Sequence, residues 1–176
     1  ANTYYLQGKY SEAADFFGRL AKNRTVHVDK AQVNFKLVRS LSYLPDVVEC
    51  GAKAQSFLDL YPASIEVPEV RFILASALKN LGRNEDSMKQ VLLLLQSQEE
   101  NAKKHPETWI YWQQKAGNTV ANRLYKEGDF LNALEIYLGL AELDKSPLWQ
   151  VPVWYQIGLV YEQLAQPAKA TDCLLY

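Results

Sequence analysis

A small residue returns along this chain at almost fixed intervals. Ala13, Cys50, Ser87, Ala133 and Ala170 are separated by 37, 37, 46 and 37 positions. The local order around it returns too. Gly8-Lys9-Tyr10-Ser11-Glu12-Ala13 and Gly128-Asp129-Phe130-Leu131-Asn132-Ala133 agree in type: a turn Gly, a polar residue, an aromatic, two free positions, then Ala. Leu81-Gly82-Arg83-Asn84-Glu85-Asp86-Ser87 keeps the plan with Ser in the small position. Leu44-Pro45-Asp46-Val47-Val48-Glu49-Cys50 is a weaker copy with Pro at the turn, and Ala165-Gln166-Pro167-Ala168-Lys169-Ala170 completes the series. A chain with such a period folds as stacked units that bury a core between neighbours, and one longer interval marks an enlarged connection.

The unit is helical. Phe16, Phe17 and Leu20 follow Ala13 at i+3, i+4 and i+7, and Tyr137 and Leu140 follow Ala133 at i+4 and i+7. Those spacings lie on one face of an α-helix. Gly8, Pro45, Gly82 and Gly128 mark turns, and Tyr61-Pro62 and Ser146-Pro147 mark unit ends. No alternating strand pattern with hairpin turns occurs. Helices approach closely where a side chain is small, so Ala75, Ala121 and Gly158 are expected at the crossings of first and second helices. A Leu at Gly158 would overpack its crossing by ~1–3 kcal/mol. Val38 holds the same place in the second unit, and that pair is expected to be splayed or shifted.

The last unit carries Trp154-Tyr155-Gln156-Ile157-Gly158-Leu159-Val160-Tyr161, with Ala170 nine residues on. This aromatic–Gly–aromatic spacing resembles the tetratricopeptide repeat, a helix–turn–helix unit of about 34 residues. The resemblance implies an all-α, right-handed α-solenoid of about five units, at approximately 1–27, 31–64, 68–105, 106–147 and 151–176, forming one repeat domain. It also implies a protein- or peptide-binding scaffold, with the outward residues of the first helices lining a concave groove. By register those are Gln32, Phe35, Arg39 and Tyr43; Glu69, Phe72, Ser76, Lys79 and Asn80; Lys115, Asn118, Asn122, Tyr125 and Lys126; and Tyr155, Leu159, Glu162 and Gln163. Phe35, Arg39, Tyr43, Phe72, Lys79, Lys115, Asn118, Asn122, Tyr125 and Tyr155 are the candidate peptide contacts. Amides can hold a peptide backbone, bases a carboxylate, and aromatic faces add contact area. Asn118 and Asn122 are expected to serve a ligand without supporting stability. The pattern by which chaperone-binding members hold a peptide terminus fails here. Asn118 stands where a Lys is required, and Val151–Leu164 carries no basic residue.

The enlarged connection follows Met88, Val91, Leu92 and Leu95, whose helix is expected to run on through residues 98–104 until His105-Pro106 breaks it. A long first helix, Glu107–Lys126, then carries Trp109, Trp112, Ala116 and Val120 at helical spacing. The two would form a projecting αα-hairpin. Its aromatics read first as core and second as a handle for a partner.

Other chemistry is thin. His27 and His105 lie in connections without a His or Cys at metal-ligand spacing, and there is no CxxC or glycine-rich phosphate loop. Glu99-Glu100 and Glu85-Asp86 read as solvated helix surface. No catalytic, cofactor or metal residues are assigned, and the segment reads as non-enzymatic. The alternative is a substrate-recognition or regulatory repeat segment of a larger enzyme. Asn23-Arg24-Thr25 fits a glycosylation sequon of low specificity. With 19 basic and 20 acidic residues the chain lacks the basic excess of a general nucleic-acid binder. The aliphatic run Val91–Leu95 is far short of the ~20 residues that span a bilayer. Cys50 and Cys173 are too few for a disulfide framework, and Cys50 reads as a small packed residue. Phe57-Leu58-Asp59-Leu60-Tyr61-Pro62 and the helix that follows resemble units of bacterial outer-membrane-assembly lipoproteins, a short motif that leans towards the cell envelope. The first and last units read as cut, so a longer protein is expected, with self-association of this segment through an end carrying Leu174, Leu175 or Tyr176.

Overall fold

The computed structural model describes residues 2–23, 27–96 and 100–175. Arg24 and Thr25 of the sequon, Ala1, Tyr176 and residues 97–99 of the enlarged connection lie outside the described residues. The described residues form eleven helices and no strand, so the fold is all-α. The helices alternate as first and second members of antiparallel pairs: α1 (Asn2–Leu6) with α2 (Tyr10–Lys22), α3 (Lys30–Leu41) with α4 (Val47–Leu60), and α5 (Val67–Asn80) with α6 (Asn84–Leu95). The short α7 (Glu100–Lys104) intervenes. Then come α8 (Pro106–Glu127) with α9 (Phe130–Leu143), and α10 (Pro147–Gln163) with α11 (Pro167–Leu174).

The chain forms two compact units. The N-terminal unit comprises residues 1–90 and 99–105, and the C-terminal unit comprises 91–98 and 106–176. In the N-terminal unit, Phe17, Val38, Ala54, Phe57, Val70 and Leu74 are buried. The C-terminal unit buries Trp109, Ala116, Ala121, Ile136, Tyr137, Leu140 and Ile157.

All five recurring small residues are buried. Ser87 does more than fit: its hydroxyl donates to the carbonyl of Ala75, 2.7 Å away, across the third helix pair. Gly158 is a close approach as well. A Cβ there would stand 3.4 Å from Cys173 Cβ and 3.5 Å from the carbonyl of Ala170. The tightest crossing is elsewhere. A Cβ on Gly117 would fall 2.5 Å from Cδ2 of the fully buried Leu140, so α8 and α9 meet where only hydrogen fits. The aliphatic and aromatic spacing on α8 pointed to a buried stripe but not to Gly117.

Four of the turns share one hydrogen-bond scheme. Gly8, Gly82, Gly128 and Ala165 have positive φ, at 73°, 75°, 81° and 55°. In each turn that residue's N–H reaches the carbonyl three residues back, as from Gly82 to Lys79, 2.9 Å. The next N–H reaches five residues back, as from Arg83 to Leu78, 2.9 Å. This is the left-handed helix end that glycine favours. The Leu44-Pro45 turn is built differently. The Asp46 carboxylate caps α4 by accepting from the Glu49 N–H, 2.9 Å away.

Three of the second helices, α2, α6 and α9, end on side chains from the next first helix. Lys30 Nζ donates to the carbonyls of Leu20, 3.0 Å away, and of Ala21 and Asn23 at the end of α2. Gln113 Nε2 on α8 donates to Leu94, 2.9 Å away, and to Leu95 at the end of α6. Gln150 Nε2 and Trp149 Nε1 on α10 donate to Ala141 and Leu140 at the end of α9, 2.6 and 2.7 Å away.

Two sequence boundaries move. α6 ends at Leu95, with Gln96 in a turn, so the helix carrying Met88, Val91, Leu92 and Leu95 stops before the expected extension; residues 97–99 lie outside the described residues, and α7 is described from Glu100. Ser146-Pro147 opens α10 and does not only end a unit, because Pro at the first helical position lacks an N–H that would be unpaired there. Pro152 lies inside α10. The carbonyl of Leu148, which Pro152 cannot serve, sits in the exposed first turn, open to water.

Candidate partner-binding faces

In the N-terminal unit the first helices α1, α3 and α5 carry one linked set of side chains. Arg39 on α3 is its centre. Its guanidinium lies over the ring of Tyr5 on α1, 5.6 Å from the centroid, and over Phe35, 5.9 Å away. Its Nε pairs with Glu69 on α5, 3.2 Å away. Gln32 and Glu66 join α3 to the start of α5 by a second hydrogen bond. Tyr43, just past α3, stacks on Tyr10 of α2 with centroids 4.3 Å apart, and Tyr5 meets Tyr10 edge-on at 5.4 Å. Burial, followed by the hydrogen bond with the Tyr43 side chain, pushes the Tyr5 hydroxyl up to about 12. Tyr5 was not among the sequence candidates, although Tyr5 and Tyr125 both stand three positions before the turn glycine. Tyr125 makes the same edge-on contact with Phe130, 5.5 Å away, that Tyr5 makes with Tyr10.

Phe35 is buried, tilted against Phe57, and helps to line a cavity of about 310 Å3 with Tyr5, Leu6 and Phe17. Arg39 and Tyr43 are exposed, while Phe72 and Lys79 on α5 are half-buried. A larger cavity, about 560 Å3, lies between the second helices α2 and α4 over α3. Its lining mixes Asp15 and Glu49 with Arg19, Lys22 and Lys53, with no concentration of one charge.

In the C-terminal unit Lys115 projects over two rings of its own helix, 4.7 Å from the centroid of Trp112 and 5.6 Å from that of Tyr111. Asn118 is half-buried one turn on. Asn122 has a structural partner: its side-chain oxygen accepts from the hydroxyl of Tyr137, 2.7 Å away. Tyr137 is almost wholly buried, and burial, with a smaller contribution from Tyr125, pushes its hydroxyl up to about 12. Asn122, expected from the sequence to serve a ligand, thus also holds the Tyr137 hydroxyl. Tyr155 on α10 is exposed and shares a helix face with exposed Leu148 and Val151 at i−7 and i−4.

Among the described residues no group of three His, Cys, Asp or Glu side chains is placed to hold a metal ion. Cys50 and Cys173 are both free and buried. No helix among the described residues is long and apolar enough to cross a membrane.

The tetratricopeptide repeat family model matches residues 151–175. No curated protein matches the chain in sequence. Solved structures match it almost end to end. MamA superposes with a TM-score of 0.62 at 14% identity, over 98% of this chain and 89% of that one. The apo form of the quorum sensor NprR from B. thuringiensis gives 0.63 at 16% identity, over 97% of this chain and 48% of its own. The nearly identical TPR-like repeats of a putative kinesin light chain from Podosopora anserina give 0.58 at 12% identity, over 99% and 88%. Identities this low speak for the fold alone. The chain is therefore a tetratricopeptide-like helical-repeat protein by fold, an α-solenoid in class, with one repeat, residues 151–175, recognisable in its sequence.

Proposed function

We propose that this chain is a protein- or peptide-binding scaffold that presents the outward side chains of its first helices to a partner. The observation that carries the reading is the Tyr5–Arg39–Glu69 set. It ties three successive first helices together at their surface, with Arg39 44% and Tyr43 54% exposed. A charged and aromatic face held in place by its neighbours loses little side-chain freedom when a partner docks. Lys115 on its aromatic platform and the exposed Tyr155 offer comparable contacts in the C-terminal unit.

Photo-crosslinking tests this. A benzophenone amino acid would replace Tyr43 or Tyr155 on the first-helix side, or the exposed Val48 or Leu131 on second helices. One partner captured from Tyr43 and Tyr155, and not from Val48 or Leu131, supports the reading. Equal or stronger capture from Val48 and Leu131 places the binding surface on the second helices and overturns it.

A further inference from the structure

We propose that the N-terminal unit recognises an extended, internal peptide segment in which an acidic residue lies two positions from an apolar residue on either side. The inference rests on the peptide-binding reading above and names the chemistry of the partner. The 310 Å3 cavity has an apolar wall made by Tyr5, Leu6, Phe17 and Phe35. That size is at the small end of ligand pockets and suits one large side chain. The polar part of its lining is Lys36, Arg39 and Asn2, with no acidic residue. Lys36 makes no ion pair among the described residues, and Arg39 has one carboxylate, Glu69. Two cations against one anion beside an apolar cavity fit an apolar side chain next to a carboxylate.

The spacing along α3 fixes the order. Phe35 and Arg39 stand four residues apart on one face of α3, about 6 Å apart along the axis, and Tyr43 follows four residues on, in the turn just past the helix. In an extended chain, alternate side chains point the same way and lie about 6.6 Å apart. An extended peptide along α3 therefore sets one apolar residue in the cavity at Phe35 and an acidic residue at Arg39 and Lys36. A second apolar residue then lies on the exposed ring of Tyr43, which Tyr10 backs by stacking. Glu69 and the ring faces of Tyr5 and Phe35 hold Arg39 ready for the central carboxylate.

The test is selection of a displayed library on the full chain, with a randomised seven-residue segment flanked on both sides by Gly-Ser. Enrichment of apolar–x–acidic–x–apolar segments is expected. The best segment, synthesised with acetylated and amidated ends, should bind about tenfold more weakly when its acid is replaced by the amide. Lys36→Gln should weaken it to a similar degree with the unfolding midpoint unchanged, and Arg39→Gln should weaken it at least as much. Lys36→Glu should move selection away from a central acid towards a central base. Segments enriched without a central acid, binding that survives both Gln substitutions, or binding only by peptides with a free C-terminus overturn this assignment while leaving the peptide-binding reading intact. No enriched segment at all removes both.

Discussion

Ala165 holds φ at 55°, where three other turns of the same hydrogen-bond scheme use Gly. A side chain in this region costs roughly 1–2 kcal/mol, of which the greater freedom of unfolded Gly returns part. Ala165→Gly should therefore stabilise the protein by roughly 0.5–1 kcal/mol. A lower denaturation midpoint for this variant would show that the turn is not strained. Cys50 makes a second prediction. Burial, then the nearby Asp46 and Glu49 carboxylates, pushes its thiol up to about 11 from an ordinary value of 9.0. The folded protein thus holds this proton more tightly than the unfolded chain. The stabilisation is complete below pH 9 and is lost as pH rises through about 11. Denaturation across that window should show a steeper fall for the native protein than for Cys50→Ala. Parallel curves would remove Cys50 from the alkaline transition. The raised value also makes Cys50 a poor thiolate at neutral pH, so thiol reagents should react with it only as the chain opens.

At the scale of elements, a recurring device is the helix end served by the next helix. Gln113 is buried and gives both of its recorded hydrogen bonds to the last carbonyls of α6. Gln113→Leu keeps much of the volume but leaves those carbonyls without their donor, at a cost of about 1–3 kcal/mol. A loss below roughly half a kcal/mol, the size of a surface change, would mean that water serves the helix end equally well. The link between α8 and α9 is open to a double-mutant cycle. Asn122→Ala strands the Tyr137 hydroxyl in the core, so it should destabilise by about 1–3 kcal/mol. The same substitution in a Tyr137→Phe background should cost distinctly less. Additive losses would show that the hydrogen bond contributes nothing. Lys115, which stands over rings of its own helix, offers a contrast, since its replacement should leave the helix pair intact.

At the scale of the whole molecule, both units expose apolar side chains: Leu6, Val48 and Leu60 in the N-terminal unit, and Leu148, Val151, Leu174 and Leu175 in the C-terminal one. Leu148 is 93% and Leu175 82% exposed, and Val151 and Leu174 are more than half exposed. Apolar surface of this kind recruits partners when it is contiguous over more than ~400 Å². We expect sedimentation to show concentration-dependent association of the isolated chain, weakened by Leu148→Ser together with Leu175→Ser. A mass that stays monomeric at the highest concentration reached would end that expectation.

Fold class was legible in the sequence because it rests on local rules. A small residue at a near-constant period, turn glycines before it and aromatics at i+3 and i+4 after it are features of single helices and their ends. They survive in any arrangement of the chain. The five small positions and the turns at Gly8, Gly82 and Gly128 belong to this class. What the tertiary structure decided is which side chains meet across helices. Nothing in the spacing of α8 singled out Gly117, because its constraint comes from Leu140 on another helix. Asn122 read as a free amide until α9 placed the Tyr137 hydroxyl against it. The spacing of α8 and α10 did not single out Gln113 or Gln150 either, because their partners are the last carbonyls of the preceding helices. Arg39 was a candidate from its register alone, but its alignment depends on Tyr5, Phe35 and Glu69, spread over three helices. Periodicity is written in one helix at a time; contacts, and the site they build, exist only between helices.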